Sequence, residues 1–345
     1  MAKKVTLKDV AKHAGVSYQT VSKILRGQIQ VTPEVRARVQ RTVEELGYRP
    51  NVTARNLRTQ ASHLIGYSWQ PSRQNFLSPI LEEFEQSVVE AAEKRGYHIL
   101  LFPQPEGTDS SKTYEELVYS GRVDGFILSD LGYNDRRIPA LQALNIPLVA
   151  FGRTHCDDCT YSFVDVDGRA GVRLVVKHLL NQGHERIAVL AWPEESRVGT
   201  DRFSGYWDAM NEAGIPVDPA WVKRGAGEYD YGYAATHELL ALPARQRPTA
   251  IVTVFDLIAI GAMHAIEERG LVVGRDIAVT GFDDMPVIVY LRPGLTTLRQ
   301  PAWDVGQRVI EILVDQLEGN TSEAKQVLLP PELIIRESSQ GYQPS

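Results

Sequence analysis

Leu7, Val10, Ala11 and Ala14 recur at helical spacing, and Gly15 stops them. Thr6 and Asp9 stand where a capping box would begin that helix. Ser17 can cap a second helix only two residues later, whose apolar side is Val21, Ile24 and Leu25, and Gly27 closes it. Thr32-Pro33 starts a third, with Val35, Val39, Val43 and Leu46 as one stripe up to Gly47. From Leu64 onward the pattern changes. Strand-like runs (LIGYS, HILLFP, VDGFILS, IPLVAFG) alternate with helical ones (SPILEEFEQSVVEAAEKRGY, SKTYEELVYSGR, RRIPALQALN). The alternation restarts with YSFVDV, RIAVLAW, TAIVTVF and DIAVTGF, so doubly wound parallel sheets in two lobes are expected.

Charge separates the two regions. Residues 1–60 hold twelve Lys and Arg against four Asp and Glu, a net of +8, whereas the remainder nets −14. A basic head on an acidic body points to a polyanion as the partner of the head alone. The second helix has an unusual exposed side, where Tyr18, Gln19, Ser22 and Lys23 stand together. Helix, tight Gly turn and second helix in a basic three-helix unit make a helix-turn-helix, whose second helix enters the major groove. Gln19 can pair with an adenine edge, and Tyr18 or Lys23 can reach a guanine acceptor or a phosphate. Thr6, Ser17, Thr20, Ser22 and Thr32 offer hydroxyls or helix N-termini to phosphates.

TLKDVAKHAGVSYQTVSKILRG followed by VTPEVRARVQRTVEELGYRPN closely resembles the DNA-binding headpiece of the lac repressor/galactose repressor family of bacterial transcription regulators. Lys23 stands where a family recognition helix carries Arg, keeping the charge but losing the planar fork. The resemblance makes residues 1–49 the headpiece and 50–60 a hinge, which folds only when two copies pair over the minor groove. Asn51, Ala54 and the wedge Leu57 fall at its DNA-contacting positions. It makes residues 61–340 a periplasmic-binding-protein-like α/β body of effector binding and dimerisation. The N-lobe is expected over about 61–161 and 293–328, and the C-lobe over about 162–292 and 329–340.

Effector positions carry over where motifs match. RFSGYWDAM fits the family's Arg-x-x-Gly-x-x-x-Ala and makes Arg202 the clamp, and GFDD makes Asp283 the acceptor of ligand hydroxyls. Phe76, Phe163 and Tyr229 fall near pocket aromatics. Phe255-Asp256 stands where most relatives have Asn-Asp, replacing a polar contact by an aromatic. The aromatics around the cleft lean toward a saccharide, with a purine or another corepressor as the alternative ligand and a plain solute-binding protein as the alternative class.

Other chemistry is thin. Cys156 and Cys159 form a CxxC without the second pair a zinc site needs, so no metal or cofactor is expected. No P-loop, GxSxG or HExxH is present, which argues against an enzyme. No apolar run of about 18 residues exists and the N-terminus lacks a secretory pattern, so a cytoplasmic protein is expected. The C-terminal residues carry no heptads, so the expected assembly is a homodimer on a pseudo-palindromic operator.

Overall fold

In a computed structural model of the protein, residues 5–25, 28–49, 61–69, 79–103, 111–154 and 160–342 are described. The chain divides into two units, Met1–Ser62 and His63–Ser345.

The first unit holds α1 (Leu7–Ala14), α2 (Tyr18–Leu25) and α3 (Pro33–Glu45). The capping box forms as the sequence requires: the Thr6 amide donates to Asp9 Oδ2 at 2.9 Å and the Asp9 amide to Thr6 Oγ1 at 3.4 Å. Gly15 then adopts φ +64, a left-handed turn that favours glycine, and Ser17 Oγ accepts from the Thr20 amide at 3.0 Å to begin α2. Val10, Ala11, Ala14, Val21, Ile24, Val39 and Tyr48 fill one small core. Arg38 of α3 donates to the Ala14 carbonyl at 2.9 Å, fixing α3 against the end of α1.

In the second unit, β1 (Leu64–Trp69), α4 (Pro79–Lys94), β2 (His98–Pro103), α5 (Ser111–Tyr119), β3 (Gly125–Leu128), α6 (Arg137–Ala143), β4 (Leu148–Phe151) and β5 (Ser162–Val166) build the first lobe. The second contains α7 (Gly168–Asn181), β6 (Ile187–Ala191), α8 (Arg197–Glu212), β7 (Val222–Arg224), α9 (Tyr229–Leu240), β8 (Ala250–Thr253), α10 (Asp256–Glu268) and β9 (Ala278–Thr280). The chain returns through β10 (Thr297–Arg299) to α11 (Ala302–Leu317) and β11 (Gln326–Leu329) on the first lobe, then back through β12 (Glu332–Ile334).

The first sheet runs β11-β5-β4-β3-β1-β2 and the second β7-β6-β8-β9, with parallel neighbours throughout. β10 and β12 pair antiparallel between them. The central strands of both sheets are buried on both faces, as in helix-covered parallel sheets.

Two expectations change. The first crossing lies after Val166, because β5 pairs with β4 and β11 inside the first sheet, so residues 162–166 belong to the first lobe. The second lies near Arg299 rather than residue 293, since Thr296 and Leu298 accept from the amides of Gly281 and Asp283 on the second lobe. The sixteen-residue α11 and the short strands β7, β10, β11 and β12 are additions to the alternation read from the sequence.

Candidate functional site

On the first unit, α2 presents its polar side to solvent. Tyr18 is half exposed, and Gln19, Lys23, Ser17, Thr6 and Thr32 are exposed. Thr20 is partly covered and its hydroxyl lies 2.8 Å from that of Ser17. Ser22 differs from expectation. It is 6% exposed and faces the inside of the three-helix unit, one position after Val21, so it belongs to packing rather than to the outward side. Lys8, Lys12, Arg36, Arg41 and Arg49 are exposed around this unit, a surface suited to phosphates. Asn51, Ala54 and Leu57 lie outside the described residues, as do Phe76, Cys156 and Cys159.

On the second unit, the carboxyl ends of both parallel sheets converge, the place where open α/β folds bind ligands. Arg202 reaches this crevice from α8. Gly205, one turn later, explains its motif: a Cβ there would lie 2.1 Å from the Arg169 carbonyl oxygen, so only glycine lets α7 and α8 close to this distance. Arg202 is 6% exposed. One guanidinium nitrogen donates to the Val254 carbonyl at 2.6 Å and the other lies 3.6 Å from Asp283 Oδ1. The guanidinium sits 3.6 Å from the centroid of the Phe282 ring and 5.4 Å from that of Trp192.

Asp283 has φ +112 and its Oδ1 accepts from Gln300 Nε2 at 2.6 Å. Burial pushes its carboxyl up, against the pull of Arg202 and then of Gln300. Across the crevice, Arg153 follows β4 and donates from Nε to Asp165 Oδ2 at 2.7 Å and from Nη2 to Asp201 Oδ2 at 3.0 Å. Since Asp201 belongs to α8, Arg153 bridges the lobes. Asp165, Val166, Gly168, Arg197, Asp201, Arg202, Phe282 and Gln300 line a cavity of about 20 Å³. That is on the order of one water.

The remaining sequence candidates sort differently. Phe255 is buried and its ring lies 5.7 Å from that of Trp192, behind Arg202. Asp256 is wholly buried and serves the protein itself: Oδ2 accepts from the Met285 amide at 2.7 Å and Oδ1 from the Thr297 hydroxyl at 2.6 Å. Burial holds its carboxyl well above the ordinary range. It positions the loop of Asp283 rather than lining the cavity. Phe163 packs with Tyr161, Leu128 and Phe126 in the first lobe's core. Tyr229 opens α9 on an outer surface, where its hydroxyl lies 2.8 Å from His264 Nδ1 on α10. Neither aromatic lines the cavity.

Arg153, Asp201 and Gln300 escaped sequence reasoning. The cap of α7 is Asp167, whose Oδ1 accepts from the Ala170 amide at 2.9 Å, which leaves Asp165 to Arg153.

The lacI family of bacterial regulatory proteins matches residues 6–51, and the periplasmic binding protein-like domain matches 176–339. The HTH-type transcriptional repressor PurR of Photorhabdus laumondii is 32% identical over 336 residues, covering 96% of each chain. The chain belongs to the lacI family. Among solved structures of this fold, the lac repressor dimer bound to operator and the anti-inducer ONPF is 29% identical, covers 98% of this chain and all of the other, and superposes with TM-score 0.82. The CelR–cellobiose complex, a transcriptional regulator, is 31% identical over 97% of this chain and all of its own, with TM-score 0.73. This lacI-family chain is a DNA-binding transcriptional repressor and not an enzyme. Among the described residues, no helix is long and apolar enough to cross a membrane, and no cluster of three or more His, Cys, Asp or Glu could hold a metal.

Proposed function

We propose that the repressor binds a pseudo-palindromic operator as a homodimer, reading bases through Tyr18, Gln19 and Lys23. Residues 50–60 serve as the hinge, with Leu57 wedged between base steps and Asn51 and Ala54 beside it. Operator affinity answers to a small hydroxyl-rich ligand, a saccharide, held between the lobes. The observation that carries the ligand class is the set of polar groups converging on the crevice. Arg202, Arg153 and Arg197 are balanced there by Asp283, Asp165 and Asp201, with Gln300 beside them. Such a set both donates to and accepts from hydroxyls. CelR, of similar sequence, is solved with cellobiose.

The similarity to PurR repressors favours a second reading, in which a purine acts as corepressor. A thermal-shift panel of saccharides and nucleobases tests both, because a ligand bound only by the folded body raises its melting temperature by mass action. Hits among neutral sugars that change operator affinity support the first reading, and hits confined to nucleobases replace it with the second.

A further inference from the structure

The GFDD loop carries two neighbouring acids with separate partners. Asp283, at φ +112, turns to Arg202 and Gln300 in the crevice. Asp284, at φ +52, turns to the strands that return between the lobes. Its Oδ2 accepts from Arg299 Nε at 2.7 Å and its Oδ1 from Arg336 Nη2 at 2.7 Å. Arg299 ends β10, and Arg336 lies two residues beyond β12. One carboxylate, 9% exposed, thus grips both chain segments whose pairing runs Thr297↔Ile334, Leu298↔Leu333 and Arg299↔Glu332. Ionised bonds of this kind are about twice as strong as neutral ones and directional.

The loop has little freedom to move apart from these strands. Gly281 donates to the Thr296 carbonyl at 2.9 Å and Asp283 to the Leu298 carbonyl at 2.8 Å. Buried Asp256 ties the Met285 amide to the Thr297 hydroxyl, and a Cβ on Gly281 would meet its Oδ1 at 2.1 Å. Immediately after β10 come Gln300, which holds Asp283, and then Pro301 and α11 of the first lobe.

We propose that Asp284 is the positioning residue that sets the angle between the lobes, by clamping the crevice loop to both returning strands. Displacement of Asp283 is then delivered to β10 and β12 as one rigid movement. The use of that movement by a ligand rests on the function proposed above, whereas the clamp itself does not.

The test therefore uses the full chain with no ligand added. Spin labels are placed at Lys112 on α5 and Asn211 on α8, both exposed, in a Cys156→Ser/Cys159→Ser background. Excess unlabelled chain keeps one labelled copy per assembly, and double electron–electron resonance gives the interlobe distance distribution. Asp284→Asn, which keeps shape and loses charge, is expected to widen that distribution about twofold, and Arg336→Lys to widen it less. Asp208→Asn, which breaks the Arg169–Asp208 pair within the second lobe, is expected to leave it unchanged. A wild-type width in both Asp284→Asn and Arg336→Lys overturns the proposal, as does equal widening in Asp208→Asn. Should Asp284→Asn not fold, Arg336→Lys alone decides. A chain that answers to no metabolite yet widens at Asp284→Asn leaves the clamp standing and removes only the ligand assignment.

Discussion

Replacing Arg202 by Met removes a cation that is 6% exposed while keeping much of its apolar stem. The Val254 carbonyl loses a donor at 2.6 Å and Asp283 loses its neighbouring positive charge at 3.6 Å. Breaking a buried pair by removing one partner costs about 3–5 kcal/mol, because the remaining charge stays desolvated. For a body of this size that is a fall in melting temperature on the order of 10 °C. Asp283→Asn in the same chain removes the stranded charge, so the double variant is less damaged than the two single losses combined, with a coupling of roughly 1–3 kcal/mol. The sign of the pH response is also fixed. Burial already raises the Asp283 carboxyl, and loss of Arg202 raises it further. The folded Arg202→Met variant therefore holds a proton more readily than the unfolded chain, so its deficit against wild type shrinks as pH falls and grows as pH rises. Urea unfolding of the four chains at two pH values measures both quantities. Strictly additive losses, or a deficit that deepens toward low pH, would refute the pairing of Arg202 with Asp283.

Two further outcomes concern the DNA-facing helix and a buried histidine. Gln19→Ala is expected to relax preference at one base pair per half-site by about 1–3 kcal/mol, while Ser22→Ala, at a buried position, leaves the binding-site preference as it is; selection from random duplexes compares them. His184 is wholly buried, accepts or donates at Thr249 Oγ1 over 3.0 Å, and stacks 3.9 Å from the Tyr342 ring, with its pKa pushed down to about 4, chiefly by burial. The unfolded chain takes up that proton first, so about 3 kcal/mol of stability is lost as pH falls from roughly 6.5 to 4. His184→Gln should flatten that part of the unfolding-versus-pH curve, and an equally steep curve would assign the loss to other groups.

Much of the DNA-facing unit was legible because its signals are local. Thr6, Asp9, Gly15 and Ser17 act within three or four residues, so chain order alone specifies them. Periodicity could not assign Ser22, whose neighbours along α2 alternate between inside and outside within one residue. In the body, Arg202 and Asp283 were readable from motifs. Arg153 was not, because its acids lie 12 and 48 residues away and only the fold brings them together. The same limit misplaced the lobe boundary. YSFVDV reads as a strand, but nothing in it says that its neighbours are LVAF and QVLL rather than IAVLA. Burial of Phe163 and outward placement of Tyr229 are likewise products of packing and not of residue type.

The tightness of the crevice bears on timing. With Arg153 spanning to Asp201 across a space near that of a single water, a ligand of the class proposed above would wait for thermal parting of the walls. Raising its concentration then speeds capture only up to the rate of spontaneous parting, beyond which the kinetics level off. The speed of such a response would then answer to substitutions of Arg153 or Asp201 as well as to the abundance of the signal.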